Sequence, residues 1–518
     1  MTEILTSPAQ RLPSRDRGWL TAGVPYWQLI AILFFALAYR AATFGDPILD
    51  YDEQLYLTIG DRLLHGHLPY VEMWDRKPPG LFAIYAMIRL MGGTGFVQYQ
   101  VVAALCAGAT AALIYTMSRR STSVRASLII SVAYLLFLNP LHGAGGQSPV
   151  FYNVLTAFEA WLTLKAGDSQ RPRMVILYAL ATMVIAGVAI QCKYTPFVEG
   201  VYFGLIFLVR FHRIGIPVRM IIGIGAAMVG LAVLPTLIAM TIYWRLGHLD
   251  AFVQANFVSV FARHPFPPER RSQQQMLIAT IGGPLLLMAV FKLTRVWRNF
   301  GLARSVDFSV LAGWCVAALI GFSMLGDFFD FYFITVLPPL LVFIAPFVDL
   351  PGRKRAVIIG FLLVWPFVLS PPRWGLAAQH SEAMATLVGA IRPYIADGRC
   401  LYVYDGPTSL YFLTKACVPT RFIYPDHLTN PTETPALGID PVAEESRLLA
   451  TRPGAIVFAD TPLVPRVDVA TRAVLLKVLK RDYIRVSRVT IDRTYDVFAL
   501  RDLHPGAGLL PGAPINPR

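Results

Sequence analysis

Acidic side chains are scarce in this chain: 32 Asp and Glu stand against 46 Lys and Arg in 518 residues, and charged residues make up only 15% of the whole. Cysteine is scarcer, at five. Other absences narrow the function. The C-terminal part carries no glycine-rich phosphate fingerprint, so no nucleotide is assigned to it. His65-Gly-His67 has no third ligand of suitable spacing, so no metal site is expected and no cofactor is required. Ionisable residues well inside the apolar runs reduce essentially to Glu159, which argues against a transporter, since ion and substrate pathways need such groups in several spans. The first 27 residues are polar and basic, unlike a cleavable signal.

What is present is apolar surface, 55% hydrophobic and 12% aromatic residues. It is arranged in runs long enough to cross a bilayer, at 28–45, 96–117, 124–141, 149–165, 175–190, 197–211, 218–243, 274–292, 308–325, 329–348 and 355–371. The net charge of +14 lies in short clusters between runs, a topology signal rather than a nucleic-acid surface. Arg11/Arg15/Arg17, Arg119/Arg120/Arg125, Lys165/Arg171/Arg173, Arg210/Arg213/Arg219, Lys292/Arg295/Arg298/Arg304 and Arg353/Lys354/Arg355 occupy alternate connections, which are predicted to face the cytoplasm. The remaining connections, 46–95, 142–148, 191–196, 244–273 and 326–328, and everything after 371 are then extracytoplasmic.

That assignment gathers the scarce acids on one side. The stretch ILDYDEQLYLTIGDRLLHGHLPYVEMWDRKPPG, with the residues just before it, holds Asp46, Asp50, Asp52, Glu53, Asp61, Glu72 and Asp75 in the first outer loop. Leu55, Ile59 and Leu63 recur at fours, predicting a helix along the membrane surface that Gly66 ends. Asp50 and Glu53 have the spacing of a capping pair. Asp52, one turn before Leu55 and Tyr56, is the expected general base, its pKa raised by partial desolvation. Lys77 precedes a second helix that opens with Pro78 or Pro79, a good place to hold a phosphate. A group transferred outside the cell must come from a lipid-anchored donor, because nucleotide-activated donors are not supplied there.

The motifs DEQLY at 52–56, PY at 69–70 and KPPG at 77–80, all in a long first outer loop, resemble the GT-C superfamily of integral-membrane glycosyltransferases. The closer likeness is to the bacterial dolichyl-phosphate-mannose-protein mannosyltransferase-like group that includes the aminoarabinose transferases of lipid A. QCKYTPFVEG at 191–200 and FDFYFITVLPPLLVFIAP at 329–346 are looser matches. The resemblance implies a polytopic α-helical GT-C domain over 28–372, preceded by a cytoplasmic segment 1–27. It implies a polyprenyl-phosphate sugar donor, an envelope lipid, glycan or protein acceptor, and inversion at the anomeric carbon. Carried onto this chain, Asp52 is the base, with Glu53 or Asp50 as a second acid, and Lys77 lies at the donor phosphate. Lys193, Arg245 and Arg263 are further phosphate candidates; Tyr56, Trp74, Asp75, His264 and Tyr332 are cavity candidates. Two departures stand out: Arg76 replaces the Glu that the aminoarabinose transferases have before Lys-Pro-Pro, and HGAGGQSPVFYNV lacks the acid that relatives often carry. The rival readings are a lipid or polysaccharide transporter and a noncatalytic assembly factor.

After Pro371-Pro372 the hydropathy falls. Strand-like CLYVYDG and AIVFAD, helix-like PTSLYFLTKA and VATRAVLLKVLK, and a hairpin in IRVSRVTIDRTYDVFAL predict a soluble extracytoplasmic α/β domain over 373–518. Cys400 and Cys417 lie in it, where a disulfide is chemically permitted.

Overall fold

A computed structural model describes residues 26–298, 306–324, 326–464 and 466–503. Almost all of the N-terminal segment, with Arg11, Arg15 and Arg17, lies outside the described residues, as do Arg304 and the side chains of Arg295 and Arg298. The chain runs from α1 (Tyr26–Arg40) into two short helices, α2 (Tyr51–Leu63) and α3 (Pro79–Arg89), that pack on each other. Long helices follow: α4 (Phe96–Ser118), α5 (Val124–Leu138), α6 (Ser148–Asp168), α7 (Pro172–Ile190), α8 (Phe197–Arg213) and α9 (Val218–Arg245). The next connection contains α10 (Leu249–Val253) and α11 (Ser259–Ala262), joined by a π turn. Then come α12 (Pro268–Arg298), α13 (Val306–Ser323), a 3₁₀ segment Asp330–Val336 leading into α14 (Leu337–Ile344), and α15 (Arg353–Leu369).

All eleven apolar runs are largely helical over their described residues. Among the described residues, seven segments are long and apolar enough to cross a membrane: Tyr26–Thr43, Phe96–Ser118, Val124–Leu141, Pro172–Ile190, Val218–Arg245, Pro268–Thr294 and Asp330–Asp349. The runs at 149–165, 197–211, 308–325 and 355–371 are helices that are shorter or more polar. The bundle core is formed by α4 packed on α1, α5 and α6, with α6 on α7 and α8 on α13. The α7–α9 contact depends on Gly187: a Cβ there would sit 2.7 Å from the Ala232 carbonyl oxygen. Glu159 is fully buried in α6, and its carboxylate has no partner among the described residues.

The tail adds α16 (Leu376–Ile391), α17 (Ser409–Thr414), α18 (Pro425–Thr429), α19 (Pro441–Ala450) and α20 (Val469–Asp482) around one sheet. Its strands are β1 (Leu401–Asp405), β2 (Ala455–Ala459), β3 (Tyr483–Thr490) and β4 (Thr494–Leu500), in the order β1-β2-β4-β3. β1 and β2 are parallel, and β4 runs antiparallel to both its neighbours. Their all-buried patterns on β1 and β2 mark strands covered on both faces. Cys400 and Cys417 are joined.

One expectation is corrected. α2 is not a half-exposed amphipathic helix, because every residue from Glu53 to Gly60 is buried. The tail covers the side that the sequence pattern leaves for solvent: Gln54 Oε1 accepts from Ser409 Oγ (3.1 Å) and Arg62 donates to the Ala416 carbonyl (2.5 Å).

Candidate functional site

The site forms where α2 begins. Asp50 caps the helix, its carboxylate accepting the Asp52 N–H at 2.8 Å, so Asp52 projects from the first turn. Glu53 does not complete a capping box. Its side chain is fully buried against Gly145, where a Cβ would fall 2.0 Å from a carboxylate oxygen. The glycines of HGAGGQSP thus make room for this acid. Gln147, from the end of the same loop, donates to Asp50 at 2.7 Å.

Lys77 is delivered by two local constraints. The Tyr70 hydroxyl donates to its carbonyl at 2.7 Å, and Leu81 N–H donates to the Gln191 carbonyl at 3.0 Å. Gly80 permits the second contact, since a Cβ there would meet Gln191 Cβ at 2.4 Å. Lys77 Nζ lies 3.7 Å from Asp52 Oδ2 and 5.2 Å from the centre of the Tyr56 ring. The Tyr56 hydroxyl donates to the same carboxylate oxygen at 3.1 Å. The backbone contact at Gln191 also fixes the turn that carries Lys193. Lys193 is 6% exposed, with Nζ 3.3 Å from the centre of the Tyr332 ring, and no carboxylate pairs with it among the described residues.

The electrostatics reverse one expectation. Burial pushes the Asp52 carboxyl up, but Lys77 and the hydroxyls of Tyr424 and Tyr56 outweigh it, and the group is held below the usual carboxylate range. Asp50 behaves as a desolvated acid instead: burial, reinforced by the Asp52 charge, pushes it up to about 7. Asp75 is likewise raised, chiefly by burial; one of its oxygens accepts the Arg76 N–H at 2.6 Å and the other is buried without a partner. Burial disfavours the Lys77 cation, yet Asp52 and Asp75 raise it above its ordinary value. For Lys193 the balance goes the other way: burial together with the Lys77 charge outweighs Asp52 and Asp327 and drives it well below the lysine range. A buried lysine without an ion-pair partner regains its charge when an anion binds beside it.

The other candidates divide. Arg263 is committed to Asp327 and to Glu433, and Glu433 also pairs with Arg76. Arg263 therefore braces the wall of the site, tying the 244–273 connection to the tail. Trp74 is an anchor as well, its N–H bonded to the Arg421 carbonyl at 2.8 Å and its ring against His427 at 4.8 Å. Arg245 is exposed beside Trp244 and is not gathered with the others. His264 is exposed, bonded through its N–H to the Thr432 carbonyl, and borders a separate hollow of about 440 Å³ with Arg271 and Arg466. Sequence reasoning missed Tyr424, Glu433 and Asp327. GDFFDF did mark the outer segment that holds Asp327, but nothing local in the tail distinguishes Tyr424 or Glu433.

Residues 76–239 match the family model described as dolichyl-phosphate-mannose-protein mannosyltransferase. Among solved structures, the chain is similar to ArnT from Cupriavidus metallidurans in the apo state, with a TM-score of 0.60, 14% identity, and coverage of 94% of this chain and 98% of that one. The same protein bound to undecaprenyl phosphate matches with a TM-score of 0.58 and 13% identity, over 94% and 99% of the two chains. No curated protein matches by sequence. The fold is the GT-C fold, membrane bundle and C-terminal sheet domain included.

Proposed function

We propose that the chain is a glycosyltransferase that moves a sugar from a polyprenyl-phosphate donor to an envelope acceptor at the outer leaflet, with inversion. The observation that carries this reading is the pairing of Asp52 with Lys77 at the N-terminus of α2, with the buried Lys193, which forms no salt bridge among the described residues, acting on both. The match to the mannosyltransferase family model and the fold shared with a protein solved bound to undecaprenyl phosphate favour a lipid-phosphate donor.

The same geometry suggests an order of events. With the site empty, Lys77 holds Asp52 ionised and weakly basic. A donor phosphodiester binding Lys77 and Lys193 shares the Lys77 charge, and the Asp52 pKa climbs toward the range useful to a base. Asp52 then takes the acceptor hydroxyl proton, the oxygen attacks C1, and the C1–O bond breaks with its electron pair going to polyprenyl phosphate. Lys77 and Lys193 stabilise the charge gained by the leaving phosphate, an effect worth about 3 kcal/mol for one such donor. Tyr332 orients Lys193, while Tyr56 and Asp75 line the same space. The basic clusters between helices support an N-terminus in the cytoplasm and a tail outside, in a bacterial inner membrane. The Cys400–Cys417 disulfide fits that side.

The test is release of labelled sugar from a radiolabelled pool of polyprenyl-phosphate sugars by the purified protein. Loss of release in both Asp52→Asn and Lys77→Ala is expected, and undiminished release by Asp52→Asn would remove Asp52 from the mechanism.

A further inference from the structure

The first turn of α2 is gripped by the tail, and the grip reaches the residue next to Asp52. Tyr51 stands between the N-cap Asp50 and Asp52. Its hydroxyl accepts from Arg493 Nη2 at 2.8 Å, and lies 2.8 Å from the Tyr495 hydroxyl and 3.1 Å from Asp492 Oδ2. All three partners sit at or beside the turn of the β3–β4 hairpin, 441 to 444 positions along the chain. The guanidinium also packs on the rings it joins, 5.4 Å from the centre of Tyr51 and 5.4 Å from that of Tyr495.

The arginine is fixed before it reaches Tyr51. Its Nη1 donates to Asp405 Oδ1 at 2.8 Å and to the Thr461 carbonyl at 2.7 Å. Asp405, at the end of β1, is buried, and its other oxygen accepts the Leu463 N–H at 3.0 Å. The Tyr495 hydroxyl donates to Asp492 Oδ1 at 2.6 Å. Arg493 and Asp492 thus both have partners inside the sheet domain, and the second arm of a rigid, planar fork is left to reach α2. Tyr51 and Asp52 are consecutive in one helical turn, so whatever holds the first also aims the second. Such a hold has work to do: helix ends fray, and a reacting group misplaced by about 1 Å loses about 10²-fold in rate. The bond is charge-assisted, about twice as strong as a neutral one. Gln54, one turn on, is held by the tail as well, accepting from the Ser409 N–H at 3.3 Å and its hydroxyl at 3.1 Å.

We propose that Arg493 is a positioning residue of the transfer reaction: through the Tyr51 hydroxyl it fixes the first turn of α2, and with it the direction of the Asp52 carboxylate. The proposal rests on the reading of Asp52 as base. Arg493 acts through Tyr51 rather than on sugar or phosphate. The Tyr56 hydroxyl and Lys77 set the carboxylate from within the first loop, at 3.1 and 3.7 Å, while the tail sets the backbone that carries it. The sheet domain is then a working part of the site and more than a cover over it.

The experiment uses full-length protein in detergent and follows release of labelled sugar from the radiolabelled polyprenyl-phosphate sugar pool, as kcat and as KM for donor. Tyr51→Phe keeps the ring over Arg493 and removes the hydroxyl; Arg493→Lys keeps a charge beside Asp405 and removes the fork. Each lowers kcat about 10-fold or more and leaves KM unchanged, because Lys77 and Lys193 are not moved. Combined, the two changes lower kcat no further than the larger one alone, since both remove the same contact. Tyr483→Phe is the control for stability: it removes a hydroxyl bonded to the Pro453 carbonyl at 2.8 Å elsewhere in the tail, and it keeps the wild-type kcat. In an Asp52→Asn background, Tyr51→Phe brings no further loss. Wild-type kcat in Tyr51→Phe and Arg493→Lys, an effect confined to KM, an equal loss in Tyr483→Phe, or a further loss on top of Asp52→Asn overturns the positioning role. Wild-type release by Asp52→Asn alone removes the base, and the positioning with it. A wild type inert toward every donor in the pool overturns the glycosyl-transfer reading itself.

Discussion

Asp52 and Lys77 neutralise each other across 3.7 Å, which makes the proposed base dependent on the ligand. Replacing Lys77 by Ala frees Asp52 from its counter-ion, but removes the charge that receives the phosphate; donor binding weakens and transfer is lost. Asp52→Asn keeps the volume and the Tyr56 contact, so it binds donor while transfer falls by about 10²- to 10⁴-fold, the usual range for losing a general base. A donor-binding titration alongside a rate measurement separates the two variants. Asp50 gives a pH prediction of definite sign. Its folded pKa of about 7 lies above the ordinary carboxyl value, so the neutral form is favoured by folding, and its contribution is complete at acid pH and disappears as pH rises through about 7. Asp50→Asn stays neutral, so its thermal midpoint falls less than that of wild type between pH 5 and pH 8. A drop of equal size in both proteins would show that Asp50 ionises freely in the fold.

Helix starts and tight approaches, rather than single side chains, set the distances in the site. α3 begins at Pro79, and its Leu81 N–H bonded to the Gln191 carbonyl ties the segment that carries Lys77 to the turn that carries Lys193. Gly80→Ala tests the approach. Its Cβ would meet Gln191 Cβ at 2.4 Å and the Gln191 carbonyl at 2.8 Å, and backbone must move because no flexible side-chain end is there to yield. The expected cost is about 1–3 kcal/mol of stability, with a raised KM for donor because Lys77 and Lys193 move apart. A thermal melt and donor kinetics measured together check both parts. Much of this element was readable from DEQLY and KPPG, because capping, proline position and glycine punctuation are local signals. The surroundings of α2 were not readable. Leu55, Ile59 and Leu63 announced one apolar face, but Gln54 and Thr58 are buried too, by tail residues some 350 positions away. Asp52 is misjudged for a nearer reason: its pKa was expected to rise on burial and is held down first by Lys77, from the same loop, and only then by Tyr424 of the tail.

Across the whole molecule, the tail closes over the loop that carries Asp52 and Lys77, and Glu433 is a point where it holds. This carboxylate receives Arg76 from the first loop and Arg263 from the connection before α12. Burial works against its charge, yet the two guanidiniums keep its pKa below the ordinary glutamate value. A depressed carboxyl pKa adds stability above the unfolded value and loses it as pH falls through the folded one, so the tail loosens from the loop in acid. Glu433→Gln removes the charge at every pH and leaves two partly buried arginines facing each other, Arg263 still paired with Asp327 and Arg76 left over the Trp74 ring without a salt bridge among the described residues. Breaking one side of such a buried arrangement costs about 3–5 kcal/mol. The expected result is a variant whose tail is cut early in limited proteolysis at neutral pH, as the wild type's is only in acid, and whose sugar transfer falls although Asp52, Lys77 and Lys193 are intact. Equal proteolytic lifetimes at neutral pH would assign the closure to Trp74 and its contacts with Arg421 and His427 instead. Either result bears on why Arg76 stands where the aminoarabinose transferases have an acid: an arginine there is neutralised by a glutamate from the tail, so the first loop and the tail make one wall.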